Sequence, residues 1–469
     1  MAVIGHDGSV FTLTTWPGVP SPPGPPSPRE QAMPGEPVNV DAVVVGAGPA
    51  GSAAALELAK AGRDVILVER GAFPGAKNVY GGVVYGRILD EVVPQWWTEV
   101  PVQRWVTRRS TMLMTPTQAV TVDYRTSAWD RPPYNGMTTY RSEFDPWLAG
   151  KAVAAGARLV TSTVATGLLR DALGRIAGVR TDRPDGDIRA QIVIACDGVN
   201  SFLAKEAGLL PRTSPAHTTL GVKEVLALPR DVIEERFGLV GDQGLDIEMV
   251  GCTSGIPGGG FLYTNLDTVS VGVVVGLAGL AEAKIRPEAI VAGVKAHPAI
   301  APYLRGAELK EYSAHLVPEG GYRAMPRLAV DGMLMAGDAA SMCLAAGLWL
   351  EGVNFAIGAG LAAGRTAAEA IAAGDTSAHG LAGYRRRLES CFVLADHKRL
   401  RNAADIVLAD RMQRDYPRLA CDFVEQVFTV TNPHPKLGMA REFFRAVRRN
   451  DVRLRHLARD GWQALRAFR

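Results

Sequence analysis

Cysteine is sparse in this chain, and its placement excludes more than its number does. The five thiols (Cys196, Cys252, Cys343, Cys391 and Cys421) lie far apart, with no C-x-x-C pair. That spacing rules out a disulfide scaffold and any iron–sulfur or zinc centre built from this chain's own cysteine cluster. It suits a reducing compartment. Charge excess is lacking too: 51 Lys and Arg stand against 48 Asp and Glu, unlike the basic surplus of nucleic-acid-binding proteins. The eight histidines form no H-x-E-x-H or similar group, so the sequence assigns no metal site, catalytic nucleophile or acid–base pair. Residues 1–38 lack the basic start and apolar run of a secretory leader. Long apolar runs are missing as well. The nearest, Ala339 to Gly364, is rich in glycine and alanine and carries Glu351 and Asn354, so no membrane-spanning helix is expected.

What remains is ample for a core. The 469 residues are 47% apolar and 21% charged, enough for two or three domains or one large multilayer fold. Residues 1–37 hold nine of the 30 prolines, mostly between Trp16 and Pro28. This composition predicts a disordered or polyproline tail, and Met33 offers a second candidate start. Folded structure is expected from Val38, where a β-branched run ends in Gly46-Ala-Gly48-Pro49-Ala50-Gly51. A strong helix-forming segment follows, then the strand-like Asp64-Val-Ile-Leu-Val-Glu69-Arg70. This is a βαβ unit with a dinucleotide fingerprint. Gly46 permits the tight turn, Gly48 lets the backbone approach a pyrophosphate, and Gly51 lets helix and strand pack closely. Pro49 and Ala50 open the helix whose first amides would meet the phosphates. Glu69 and Arg70 sit where an adenosine ribose is held.

Two later motifs separate FAD from NAD. Asp197-Gly198 follows the apolar run Gln191–Ala195, and Gly337-Asp338 follows Met333–Ala336. The first adds a carboxylate and a close-approach glycine beside the fingerprint. Asp338 suits the ribityl hydroxyls, and the next helix, opening at Gly352, Val353 and Asn354, can point its N-terminus at the flavin ring. Lys77 and Asn78, on the loop after the second strand, are candidates to approach the ring. Val164, ending the strand-like run from Ala157, and Gly82 complete the candidate cofactor set. Gly358-Ala-Gly360-Leu-Ala-Ala363 superficially repeats the fingerprint but follows no strand, and it reads as a helix-packing face. His315 and Cys343 read as structural. No second nucleotide unit for NAD(P)H is visible.

The predicted fold class is α/β: a Rossmann-like FAD-binding domain, an inserted mainly antiparallel sheet and a helical C-terminal region. The expected divisions are a first FAD-binding part at 38–217 with an insertion at about 96–140, an antiparallel sheet at 218–325, a closing segment at 326–379 and a basic helical region at 380–469. Beyond Gly380 there are 19 Lys and Arg against 10 Asp and Glu. That surplus fits a solvated helical cap or attraction to anionic lipid or an acidic partner.

Several stretches resemble the FixC flavoproteins, relatives of the electron-transfer-flavoprotein:quinone oxidoreductases and, more distantly, of geranylgeranyl reductases. They are Gly75-Ala-Lys77-Asn78-Val-Tyr80-Gly81-Gly82, Gly260-Phe-Leu-Tyr-Thr-Asn265, Glu311-Tyr-Ser-Ala-His315-Leu-Val-Pro318-Glu319-Gly320-Gly321-Tyr322 and the segment from Gly383-Tyr384 to Leu394. The resemblance implies an FAD oxidoreductase that takes electrons from an electron-transfer flavoprotein and passes them to membrane quinone. It implies a FixABCX-type complex with FixA/FixB-like subunits, a ferredoxin-like FixX that supplies the iron–sulfur cluster, and a cytoplasmic location peripheral to the inner face of the cell membrane. The family is associated with nitrogen fixation, though related modules serve other metabolism. Arg141, opening a helix, resembles the family's flavin-contacting arginine. After Asp338 the chain departs from the pattern with an apolar Ser341–Gly352 segment around Trp349, either a membrane-dipping loop or a buried helix start. The rival readings are a prenyl-chain reductase, a flavin-containing assembly subunit and an FAD-dependent aromatic hydroxylase.

Overall fold

The computed structural model describes residues 3–4, 10–11, 38–76, 82–210, 215–347 and 349–468. Within residues 1–36, Val3–Ile4 pairs antiparallel with Val10–Phe11. The remainder of the proline-rich tail lies outside the described residues, as do Lys77 and Asn78.

From Val38 onward the described chain builds two large sheets and a two-stranded pair of Leu344–Ala345 with Leu350–Glu351. The strand Val38–Val45 ends in the fully buried run Ala42-Val-Val-Val45, the pattern of a strand covered on both faces. Val65–Val68 and Ile188–Ala195 flank it in parallel, with Arg158–Val160 and Met333–Met335 parallel outside them. An antiparallel pair, Ala165–Arg170 and Ile176–Thr181, extends one margin. The register sets Val45 opposite both Val68 and Ala195, and Ala195 opposite Met335. Four carboxyl ends are therefore level, and Gly46, Glu69, Asp197 and Gly337 all lie at or just beyond them. A parallel sheet binds its ligand at that edge, where the connections diverge.

Helix Pro49–Lys60 rises from the glycine loop and packs against Val353–Ala373. Close approach requires the glycines of the second helix. A Cβ on Gly360 would lie 2.1 Å from the Ala50 carbonyl oxygen, and one on Gly364 would lie 2.5 Å from that of Ala54. The apparent second fingerprint is thus a packing face, as its position inside a helix implied. Among the described residues no helix is long and apolar enough to cross a membrane.

The second sheet has nine strands and joins two distant parts of the sequence. Gly82–Val84, Arg104–Met114, Ala119–Arg125 and Met137–Thr139 belong to the same sheet as the strands between Thr218 and Pro318. The parallel pairing of Arg104–Met114 with Gln243–Val250 is the seam, and the other pairings are antiparallel. Side chains alternate across it. One face carries Val222, Ile247, Leu262 and Val271, which form a core with Ile233, Phe237, Ile290 and Val294 of the covering helices. The other carries Arg109, Asp246, Glu248, Lys223, Glu311, Ser313 and His315, aligned by strand register.

The C-terminal part is helical. Tyr384 anchors it by donating a 2.7 Å hydrogen bond to the Met335 carbonyl beneath the first sheet. Helices Tyr416–Phe428, Met439–Arg449 and Leu454–Ala467 share a small core of Leu419, Ala446, Val447 and Val452. Arg411 meets the Asp460 carboxylate through two nitrogens at 2.5 and 2.9 Å, and the Tyr416 hydroxyl donates to the same group.

Candidate functional site

The glycine loop is shaped by contacts that exclude side chains. Gly46 has φ +98°, and a Cβ there would lie 2.3 Å from the Cys196 carbonyl oxygen. A Cβ on Gly51 would lie 1.8 Å from the Gly46 oxygen. Each residue therefore has to be glycine for the turn to close on the helix. Gly48 is the N-cap, with no side-chain cap, so the first-turn amides of Ala50 and Gly51 have no intrahelical acceptor. This cradle suits a pyrophosphate.

Glu69 is fixed beside it. Its Oε2 accepts from the Ala47 amide at 3.0 Å and its Oε1 from the Gly71 amide at 2.6 Å, which leaves lone pairs on both oxygens. The Glu69 carbonyl also accepts from the Thr163 amide, drawing exposed Val164 to the same corner. Arg70 is exposed next to it. Asp197 reaches the correct edge, but its carboxylate is directed at protein groups. It accepts from the Ser201 hydroxyl at 2.6 Å and from the Leu203 amide at 3.4 Å, so it steadies the short helix Phe202–Glu206. Gly198 has φ +81° and open space where a Cβ would stand.

A second cluster gathers further along the edge. Arg141 opens helix Arg141–Ala154 and binds Asp145 through two bonds of 2.6 and 2.8 Å. Its guanidinium lies 3.5 Å from where a Gly48 Cβ would be. Burial works against its charge, but Asp145, Asp338 and Glu69 hold it above its usual pKa. Gly337 (φ +67°) packs against Ala50, which sets Asp338 beside the fingerprint helix. Burial raises the Asp338 carboxyl, opposed by His315 and Arg141, and burial lowers His315, opposed by Asp338. His315 therefore lies within electrostatic reach of Asp338, on the polar face of the second sheet. Gly352 precedes helix Val353–Ala373, and the Asn354 amide donates to Glu351. Cys343 Sγ is 3.8 Å from a Gly352 Cβ position, and burial raises its pKa. Gly82 starts its strand opposite Thr139, near Tyr263.

The polar face of the nine-stranded sheet supplies residues that motif reasoning missed: Tyr85, Arg109, Lys223, Asp246 and Glu248. Among the described residues, Asp246 Oδ1, Glu311 Oε1 and Ser313 Oγ on this face have no hydrogen-bond partner. Orphaned buried atoms of this kind cost about 1–3 kcal/mol each unless a ligand or water meets them. The available signal was the alternation Asp246-Ile-Glu248, but charged residues at alternate strand positions ordinarily mark a wet face. No group of three or more His, Cys, Asp or Glu among the described residues could hold a metal ion.

Comparison with known proteins decides the family. Residues 39–240 match an FAD binding domain, and residues 407–469 match the ETF-QO/FixC family C-terminal domain. The chain is 42% identical over 400 residues to the protein FixC of Escherichia coli O157:H7, covering 85% of this chain and 92% of that one. The chain belongs to the FixC family of flavoproteins. It is likewise 40% identical over 368 residues to FixC of Bradyrhizobium diazoefficiens, covering 77% of this chain and 83% of that one. A probable electron transfer flavoprotein-quinone oxidoreductase of Escherichia coli K12 is 39% identical over 391 residues, with 83% and 90% covered. Among solved structures, a geranylgeranyl bacteriochlorophyll reductase-like protein from Thermoplasma acidophilum superposes with TM-score 0.67 at 19% identity, covering 88% of this chain and 96% of that one. That likeness is one of fold. The FAD-binding assignment fits the cradle, in which the glycine loop, Glu69, Arg141 and Asp338 share one edge of one sheet.

Proposed function

We propose that this FixC-family protein takes electrons from an electron-transfer flavoprotein through FAD and delivers them to membrane quinone, within a FixABCX-type complex. The observation that carries this reading is the extent of the family match, which includes a curated relative named for electron transfer flavoprotein–quinone oxidoreduction. FAD supplies the redox chemistry. The chain's own residues hold and tune it: the Gly46–Gly51 loop for the pyrophosphate, Glu69 and Arg70 for the adenosine end, and Asp338 for the ribityl chain. Arg141 sets positive charge between them. Lys77, Asn78, Gly82, Val164, Asp197, Gly198, Gly352, Val353 and Asn354 complete the proposed contacts. The matched C-terminal domain contains a single cysteine, Cys421, so a ferredoxin-like FixX partner supplies the iron–sulfur cluster and FixA/FixB-like subunits supply the electrons.

Membrane association at the inner face is part of the same proposal. Phe428, Val430, Met439, Phe444, Trp462 and Leu465 are exposed on the C-terminal region, amid its arginine surplus. Apolar side chains set among basic ones favour an anionic lipid surface, and flotation with anionic vesicles, lost in Trp462→Ser/Leu465→Ser, checks this. The donor is tested by anaerobic stopped-flow absorbance of the FAD-loaded protein. Rapid reduction by reduced electron-transfer flavoprotein, with none by NADH, supports the reading; rapid reduction by NAD(P)H alone contradicts it and favours an aromatic hydroxylase.

A further inference from the structure

Asp246 and Glu248 have no task in the cofactor cradle. They lie two residues apart on one strand, so both side chains leave the same face. Arg109 stands opposite Asp246 in the parallel register. Its Nε donates to Asp246 Oδ2 at 3.2 Å and its Nη2 to Glu248 Oε1 at 2.5 Å. One guanidinium thus serves two carboxyl groups that are 2% and 8% exposed, and among the described residues Asp246 Oδ1 meets no hydrogen-bond partner. The neighbouring elements turn three more groups toward the pair. Tyr85, just past strand Gly82–Val84, places its ring 5.7 Å from Arg109 Cζ. Tyr263 sits opposite Asp246 on the adjoining strand. Glu351, before the closing helix, interacts electrostatically with Tyr85 and Arg109. None of these three adds positive charge.

Burying two carboxylates against one cation costs several kcal/mol per uncompensated ion, and the cost falls when one carboxyl keeps its proton. Burial raises both groups toward neutrality, and Asp246 raises Glu248 further by repulsion. We propose that the Asp246–Glu248 pair stores a proton and donates it to a quinone oxygen as the quinone is reduced, an inference that rests on the quinone-linked function above. Two electrons and two protons convert quinone to quinol. Bound FAD, once reduced, would supply the electrons and one proton. The second proton comes from the pair: a carboxyl O–H bond breaks, a quinol O–H bond forms, and water returns a proton to the carboxylate. Glu351, within electrostatic reach of Tyr85 and Arg109, lies just before helix Val353–Ala373.

The test uses FAD-loaded wild type, Asp246→Asn, Glu248→Gln and the double variant, each reduced anaerobically. Each is mixed across a pH series with a short-chain quinone and, separately, with ferricenium, which accepts an electron without a proton. The wild-type quinone reaction is expected to slow as pH rises through the neutral range, where carboxyls with raised pKa values lose the proton they hold. The double variant should lose this dependence and react about 10²-fold more slowly with quinone at neutral pH, with the loss confined to the proton-requiring acceptor. Infrared pH-difference spectra of the resting protein should show a protonated-carboxyl signal in the wild-type-minus-double-variant difference, over and above that of other buried carboxyls such as Glu319, a readout independent of turnover. Unchanged quinone rates and pH profiles in all variants, or a carboxyl signal identical in the wild type and the double variant, would overturn the proposal. A wild type that reduces ferricenium but never quinone would overturn the quinone-linked function itself.

Discussion

On one face of the nine-stranded sheet, Val222, Ile247, Leu262 and Val271 meet the covering helices; one residue along on the same strands, Lys223, Asp246 and Glu248 are equally far from water. These two sets of buried residues do opposite work. Apolar burial contributes roughly 25 cal/mol per Å² to stability, whereas each buried ionisable group subtracts from it unless its partners are complete. The apolar face therefore holds the sheet together, and the buried carboxyls of the polar face are carried at the expense of stability.

Placing a charge on the stabilising face should have the largest effect. Val271→Asp would bury a carboxylate with no partner, at a cost of more than about 5 kcal/mol, and should yield no soluble folded protein. Next in size, Leu262→Ala leaves a cavity worth about 2–5 kcal/mol. Thermal unfolding should register that loss while the FAD absorbance spectrum stays unchanged.

The polar face should respond in the opposite direction. Burial pushes Glu319, just past the strand that carries His315, up to about 7. A carboxyl whose folded pKa is raised binds more protons in the native than in the unfolded state. Its contribution therefore favours folding at low pH and is lost as pH climbs from the unfolded value through about 7. Glu319→Gln removes that penalty, so the variant should gain on wild type by about 1–3 kcal/mol at alkaline pH and far less in acid. Unfolding midpoints measured across pH decide it. The smallest effect belongs to Glu224→Gln, which breaks a 2.5 Å ion pair with partly exposed Lys295 on the helix side. It should cost about 1 kcal/mol or less and diminish with added salt.

The two faces also differ in how legible they were. The fingerprint, Glu69, Asp197 and Gly337-Asp338 could be placed from sequence because each ends a short apolar run, and parallel register does the rest. The decoy at Gly358–Ala363 was legible for the same reason: no strand precedes it. The polar face was not legible. Its residues come from strands more than a hundred positions apart, such as Arg109 and Asp246, and the pleat hides charged side chains in a pattern that normally signals solvent. His315 illustrates this, since its electrostatic coupling to Asp338 links positions 23 apart that no motif joins. Asp197 shows the reverse, a motif residue that reaches the right edge yet spends its carboxylate on Ser201 and Leu203.

The most direct test of the central claim is the acceptor half-reaction. FAD-loaded protein, reduced anaerobically by reduced electron-transfer flavoprotein, is mixed with a short-chain quinone or with oxygen, and the flavin absorbance is followed. Fast reoxidation by quinone and slow reoxidation by oxygen is the predicted result. Reoxidation indifferent to quinone would contradict a quinone-linked electron-transfer role.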